Sequence, residues 1–212
     1  MSVRENYNKL SKWYDLISGN CEWNLVRNSL NKLDIHSDWI VLDIGFGTGK
    51  SLKYLSDRVC FGKVFGIDIS EGMIRRTMIR LLKKNHKNNI FIAQGNALNM
   101  PFNSRLFDMI CINFTLELFK ANDINLVLNE CKRVLKNSGK LFVIGMLSGY
   151  DNRLMVKLYN QLHKLFPHII DCIPFRISEE LERSGFDLIS KEERFIWGLP
   201  VEIVLANNIF NN

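Results

Sequence analysis

The chain has 212 residues, a formal net charge of +6, 47% hydrophobic and 24% charged residues. That length suits one domain with a sizeable core, and the composition sits near the globular average, which argues against disorder and against two independent domains. No apolar run approaches the roughly 18 residues of a membrane-spanning helix, so a bundle in a bilayer is excluded too.

The N-terminus, Met1-Ser-Val-Arg-Glu-Asn-Tyr7, lacks the apolar stretch of a secretory leader, so the cytoplasm is the expected location, with membrane association left open by the basic charge. Residues 4–33 read as helical and aromatic, with Tyr7, Trp13, Tyr14 and Trp23. From there, apolar runs rich in β-branched residues predict strands near 39–44, 63–68, 89–93, 107–113 and 140–146. Amphipathic stretches between them predict helices at about 48–58, 71–84 and 122–136, the last closed by Asn137-Ser138-Gly139. This alternation is that of βαβ units and a mostly parallel sheet.

Residues 150–184 carry helical spacing at Leu154, Leu158, Leu162 and Leu165, followed by Pro167 and Pro174. The last two strands, 186–196 and 201–207, are separated only by Trp197-Gly198-Leu199-Pro200, too short for a crossover, and so predict an antiparallel hairpin. The expected organisation is one domain over 1–212. It has an N-terminal helical cap (1–35), a ligand-binding core (38–147), a cap insertion (150–184) and a C-terminal hairpin (185–212).

Five cysteines without a C-x-x-C spacing suggest neither a disulfide framework nor a zinc site, and no metal is expected. The densest basic cluster is Arg75, Arg76, Arg80, Lys83, Lys84 and Lys87, interleaved at helical spacing with Met73, Ile74, Met78, Leu81 and Leu82. Its plain reading is the solvated face of one helix, and its sharper one a membrane-surface or anionic-partner patch.

The strongest chemical signal is Val41-Leu-Asp43-Ile-Gly45-Phe-Gly47-Thr48-Gly49-Lys50, a strand that ends in glycines and turns into a helix. Glycines there let the backbone turn sharply and let a ligand lie against it. The spacing fits neither the dinucleotide fingerprint nor the phosphate loop, since Gly49 follows Gly47 by two residues and Gly45 precedes Gly49 by four. About twenty residues on, Val64-Phe-Gly66-Ile-Asp68-Ile69-Ser70 ends a strand on an acid suited to the two hydroxyls of a ribose, while Ser70 suits a helix cap.

With Gly95-Asn96-Ala97-Leu-Asn-Met-Pro101-Phe102 and Phe107-Asp108-Met-Ile-Cys-Ile-Asn113-Phe114 following in order, the chain resembles the class I S-adenosylmethionine-dependent methyltransferases over about 38–147. Within them it is most similar to the type 11 branch that holds the ubiquinone and menaquinone biosynthesis C-methyltransferases. The resemblance implies a Rossmann-like α/β fold, a seven-stranded mostly parallel sheet with an antiparallel C-terminal hairpin, helices on both faces and a helical cap. It also implies S-adenosyl-L-methionine as cofactor and S-adenosyl-L-homocysteine as product. By that resemblance Asp43, Gly45, Gly47, Thr48 and Gly49 face the methionine end, and Asp68 holds the ribose. Ile69 and Met73 pack near the adenine, Asn96 and Ala97 meet its edge, and Asn113 lies near the sulfonium. Taken singly, Asn96 stabilises a turn and Asn113 satisfies local backbone equally well. Tyr7 and Tyr14 fall where the family's N-terminal helix covers the cofactor.

Methyl transfer needs few obligatory side chains, because the sulfonium is already an excellent leaving group and the protein chiefly positions and desolvates the acceptor. Candidate bases from the cap segments are His163, His168, Asp171 and Tyr14, with packing as the alternative role for each. The expected acceptor is small or lipid-like, including a quinol precursor. Nucleic acid is disfavoured, because Ile112-Asn113-Phe114-Thr115 replaces the Asp/Asn-Pro-Pro-aromatic run of base amino-methylating enzymes. Thr115-Leu116-Glu117-Leu118 departs from the Gly-Leu-Arg-Asn of the quinone enzymes, and Glu117 would suit an amine acceptor. Phospholipid or small-molecule N- or O-methylation is therefore the alternative, with Arg153, Lys157 and Lys164 available to an anionic headgroup. A non-catalytic cofactor-binding subunit is the alternative of another class.

Overall fold

The computed structural model describes residues 21–82, 89–150, 153, 156 and 173–209. Seven strands form one sheet in the order β3-β2-β1-β4-β5-β7-β6. β1 (Ile40–Ile44), β2 (Lys63–Asp68), β3 (Ile90–Gln94), β4 (Phe107–Asn113) and β5 (Leu135–Met146) run parallel. β6 (Phe186–Ile196) and β7 (Leu199–Asn208) make the antiparallel hairpin, and β7 enters beside β5. This is the Rossmann-like α/β sheet that the sequence predicts.

The two faces alternate residue by residue, as the pleat requires. Leu42 and Ile44, Ile110 and Ile112, Leu141 and Val143 point to one core, while Val41, Met109, Cys111, Phe142 and Ile144 point to the other. The first core is closed by α4 (Ala121–Val134) and α5 (Ile177–Arg183), the second by α1 (Cys21–Asn31) and α2 (Lys50–Arg58). Helix α5 lies inside the 150–184 stretch expected as a cap, yet Ile177 and Leu181 are fully buried in the core. The N-terminal caps Tyr7 and Tyr14, and His163, His168 and Asp171, lie outside the described residues.

Two boundaries and one packed face differ from the sequence reading. Helix α4 ends at Val134, and the chain passes directly into β5 at Leu135, which is fully buried and pairs with Phe107. Asn137-Ser138-Gly139 is thus an irregularity within β5, with the positive φ of +60° on Ser138, and not a helix stop. The hairpin connection is two residues long, not four: Ile196 pairs with Leu199, and Trp197 and Gly198 both have positive φ, as the tightest hairpin turn demands. Finally, α3 (Glu71–Leu82) buries only Met73 and Thr77 fully and leaves Met78, Ile79 and Leu82 exposed, so its apolar residues do not all mark the packed face.

Strand order reverses between β1 and β4, because β1 leads outward to β2 and β3 while β4 starts the other half. In open α/β sheets the crevice beyond the strand ends at such a reversal is where ligands bind. Here it lies between the turn after Ile44 and Asn113.

Candidate functional site

A recess of about 250 Å³ opens at that reversal, walled by the residues that follow β1, β2, β3 and β4. Gly45, Gly47, Asp68, Ile69, Met73, Asn96, Ala97 and Asn113 all line it, so the four separated motifs converge in space. A smaller recess of about 90 Å³ adjoins it, sharing Gly45, Gly47, Asn113 and Phe114 and adding Thr48, Lys50 and Ser51 with Glu22, Trp23 and Val26 of α1.

The loop geometry explains its composition. Gly45 has φ +68°, and a Cβ there would fall 2.3 Å from the Thr115 Cγ2, so the two strand-end turns approach too closely for any side chain. Its N–H donates to the Ile67 carbonyl at 2.8 Å, tying the β1 turn to β2. Gly47 donates its N–H to Asp68 Oδ2 at 2.9 Å, and the Ser70 N–H donates to Asp68 Oδ1 at 2.8 Å. Burial pushes the Asp68 carboxyl up to about 6, with the N–H groups of Ser70, Gly47 and Ile69 pulling the other way. Ser70 also caps α3, its Oγ accepting the Met73 N–H at 3.2 Å.

Asp43, Thr48 and Gly49 are placed differently from the residues that line the larger recess. Asp43 is 1% exposed, lines neither recess, and accepts a very short hydrogen bond from Ser51 Oγ beneath the loop. Desolvation pushes it up to about 7, opposed by the Ser51 hydroxyl and reinforced by the Asp68 charge. Thr48 lines only the smaller recess, and its Oγ1 accepts from Arg80 at 3.2 Å. Gly49 faces α3, where a Cβ would meet Thr77 Cγ2 at 2.5 Å. The Thr77 hydroxyl donates to the Gly47 carbonyl at 2.9 Å, so α3 holds the loop from behind.

Asn96 lines the recess, but its Oδ1 accepts the Leu98 N–H at 3.0 Å, closing a turn. Asn113 is the reverse case: both its Oδ1 and Nδ2 are buried and have no partner among the described residues, although it stands where the two recesses meet. A buried primary amide left unpaired on both atoms costs several kcal/mol unless a ligand or water satisfies it.

Glu117 does not stand at the recess. Its carboxylate turns inward beneath β5, where Oε1 accepts the Met146 N–H at 3.1 Å, and it is 1% exposed. The acid that the sequence offers to an amine acceptor is thus a core residue, because the 3-10 turn Leu116–Leu118 directs Leu118 and not Glu117 to the recess. Arg153, one of three cations proposed for a headgroup, lies over the Phe195 ring at 3.9 Å, and Lys157 and Lys164 are outside the described residues.

Several wall residues were not singled out as site residues in the sequence: Glu22 and Trp23 of α1, then Phe114, Leu118, Phe119, Lys120 and Asp123 after β4. The rule that strand-end loops line the crevice would have found the second group.

Comparison with known proteins places this geometry. A family model described as a methyltransferase domain matches residues 41–139. The ubiquinone/menaquinone biosynthesis C-methyltransferase of Hahella chejuensis is 31% identical over 173 residues, 74% of this chain and 67% of that protein. The chain belongs to the class I S-adenosylmethionine-dependent methyltransferases. The demethylmenaquinone methyltransferase of Thermotoga maritima is 34% identical over 57% of this chain and 49% of its own length. The chain therefore spans between about half and two thirds of the length of these curated relatives. Among solved structures, an S-adenosylmethionine-dependent methyltransferase from Aquifex aeolicus superposes with a TM-score of 0.68 at 20% identity, covering 95% of this chain and 98% of its own.

The Thr77 contact has a measurable consequence for the recess. Thr77→Val keeps the methyl against Gly49 and deletes only the hydroxyl that orients the Gly47 peptide. One net hydrogen bond of about 1 kcal/mol predicts S-adenosylmethionine binding weakened roughly fivefold in calorimetry, with Thr77→Ser restoring it. Equal affinities in the Val variant and the parent chain would mean that Gly47 is held by its neighbours alone.

Proposed function

We propose that this chain is an S-adenosylmethionine-dependent methyltransferase acting on a small or lipid-like acceptor, a quinol precursor included. The observation that carries the reading is the unpartnered Asn113 amide at the junction of the two recesses. A nucleoside in the larger recess and an amino-acid tail in the smaller one would put a polar linkage beside that amide and satisfy it.

The residues present fit this cofactor. Asp68 offers a carboxylate beside Ile69 for a ribose diol, and Met73, Ala97 and Leu98 offer an apolar slot for a planar base. Gly45 and Gly47 leave bare backbone where a chain must pass between the recesses. Thr48, Lys50 and Glu22 supply a donor or acceptor, a cation and an anion around the smaller recess, which match the zwitterionic end of an amino acid. When bound, the sulfonium supplies an activated methyl group and a neutral thioether leaving group. The protein's part is to exclude water, hold the acceptor in line and, for a phenol or quinol, remove a proton from its hydroxyl. The candidates for that base are His163, His168, Asp171 and Tyr14, on the two segments expected as caps.

A quinol-type acceptor is favoured by the names of the two curated relatives, and the inward turn of Glu117 withdraws the acid that the sequence offered to an amine. Calorimetry with S-adenosylmethionine, S-adenosylhomocysteine and NAD tests the cofactor, and a preference for NAD would refute the reading. Incubation with methyl-labelled cofactor and a cell extract split into lipid and aqueous fractions tests the acceptor. Label confined to water-soluble products would remove the quinol, and tight cofactor binding with no transfer at all would favour the non-catalytic subunit.

A further inference from the structure

Met100, Pro101 and Phe102 lie between β3 and β4 and belong to no strand, and Pro101 has no N–H to offer a neighbour. Upstream in the same connection, Ala97 and Leu98 wall the larger recess. That part of the loop closes on itself: the Asn99 N–H donates to the Asn96 carbonyl and the Leu98 N–H to the Asn96 Oδ1, both at 3.0 Å. A turn closed on itself needs a fixed point elsewhere to hold its place against the recess, and α4 supplies one. Glu130 Oε2 accepts the Met100 N–H at 2.6 Å, Arg133 Nη2 donates to the Met100 carbonyl at 2.9 Å, and Arg133 Nη1 donates to the Phe102 carbonyl at 2.7 Å. The two side chains also hold each other, with Arg133 Nε on Glu130 Oε1 at 2.6 Å and Nη2 on Oε2 at 2.8 Å. One planar fork thus spans a carboxylate and two carbonyls, a geometry that a guanidinium permits.

An i,i+3 ion pair on a helix is ordinarily a surface contact of little worth, as Arg183 and Glu180 are on α5. That reading leaves unexplained why three further hydrogen bonds of the half-buried Glu130 and Arg133 all go to the backbone of one recess loop. Apolar packing is the stronger rival. Met100 is buried, and the Phe102 ring meets Phe65 and Phe107 edge-on. Packing fixes those side chains, but not the rotation of the peptides between them. That rotation sets the direction in which the chain runs back through Leu98 and Ala97. Helix α4 also reaches the recess at its other end, where Asp123 of its first turn lines the wall. A single rigid helix therefore fixes the loop after β3 and the wall after β4 relative to each other.

We propose that Glu130 and Arg133 are positioning residues of the recess, which act through the Met100 and Phe102 backbone to hold Ala97 and Leu98 at the spacing a planar base needs. The assignment rests on the proposed cofactor and concerns two side chains that line neither recess. The hydrogen bonds from Arg133 hold the Glu130 carboxyl below its ordinary range, so the clamp stays charged at the pH where Asp68 titrates.

The test compares S-adenosylhomocysteine with S-ribosylhomocysteine, which keeps the ribose and the amino-acid tail and lacks the base. Affinities are read by calorimetry and competition, well below the melting temperature of each chain. Arg133→Ala should weaken S-adenosylhomocysteine about tenfold, the worth of one charge-assisted hydrogen bond, and leave S-ribosylhomocysteine within about threefold of the parent. The preference for the ligand that carries the base then shrinks. Arg133→Lys keeps the ion pair with Glu130 but brings one ammonium where the fork reaches two carbonyls. It should melt close to the parent and still lose part of that preference. Arg183→Ala removes the exposed pair on α5 and should change neither affinity. Equal weakening of both ligands in Arg133→Ala would show a general loosening of the fold. Unchanged affinities with a lowered melting temperature would show that the packing of Met100 and Phe102 holds the loop alone. Either result overturns the proposal. If the parent chain does not bind S-adenosylhomocysteine, the cofactor reading itself has failed and the clamp's part in binding falls with it, a result separate from retained binding with an unchanged preference.

Discussion

Asp68→Ala is expected to weaken S-adenosylhomocysteine binding at least about a hundredfold, measured by calorimetry at pH 8. The carboxylate does two things at once. It offers charge-assisted acceptance to a ribose diol, each such bond worth about 1.5–3 kcal/mol, and it anchors the Gly47 N–H that shapes the loop. Asp68→Asn is expected to be nearly as damaging, because an amide nitrogen would meet either the Gly47 or the Ser70 N–H, donor against donor. The pH dependence of binding to the parent chain follows from the same group. Burial raises Asp68 to about 6, and a diol binds the ionised form, so affinity should be constant above that pH and fall as pH drops through it. An Asp68→Ala chain that binds within threefold of the parent would mean the ribose is held elsewhere.

The legibility of this chain varied with how local each feature is. β2, β4 and β6 fall where alternating and buried apolar runs predict them, because Lys63–Asp68, Phe107–Asn113 and Phe186–Ile196 are each bounded by turn residues. The break inside β5 was not legible. Asn137-Ser138-Gly139 has the composition of a helix stop, yet the pairing of Leu135 with Phe107 extends the strand upstream across it, a tertiary contact that no local pattern encodes. The exposure of Met78, Ile79 and Leu82 was hidden for a similar reason. Helix α3 fully buries only Met73 and Thr77, with Thr77 against the glycine loop, and its spacing cannot reveal how little of it is covered.

At the site, order along the chain was enough to bring Gly45, Gly47, Asp68, Asn96, Ala97 and Asn113 to one recess. It could not separate the residues that line the recess from those that support the loop. Asp43 and Gly49 share the glycine motif with Gly45, but Asp43 is committed to Ser51 and Gly49 to Thr77. Side-chain direction over a tight turn depends on φ values near +70°, which residue identity permits without specifying. Glu117 was misread on the same ground: one residue of rotation in a 3-10 turn decides between recess and core.

That inward turn leads to the second large effect. Among the described residues Glu117 has no cation beside it, its Oε2 is buried without a partner, and a Cβ on Gly145 would lie 2.7 Å from that oxygen, so the strand packs directly on the carboxylate. Desolvation pushes Glu117 from the ordinary 4.5 up to about 7, against the pull of its own and the Met146 N–H and with a small push from Glu22. A folded value above the unfolded one means that the group's contribution to stability is fully present below pH 4.5 and is lost as pH rises through 7. At pH 8 to 9 the ionised carboxylate therefore destabilises the fold by about 3 kcal/mol, at roughly 1.4 kcal/mol for each pH unit that separates the folded from the unfolded value. Glu117→Gln removes the ionisation, keeps an oxygen for the Met146 N–H and conserves the volume. The variant should melt within a degree or two of the parent at pH 5 and about 6–12 °C higher at pH 9, given about 2–4 °C per kcal/mol for a chain of this size. If the two chains instead melt together at both pH values, Glu117 is paired or hydrated when ionised, and the core beneath β5 is more polar than its packing implies.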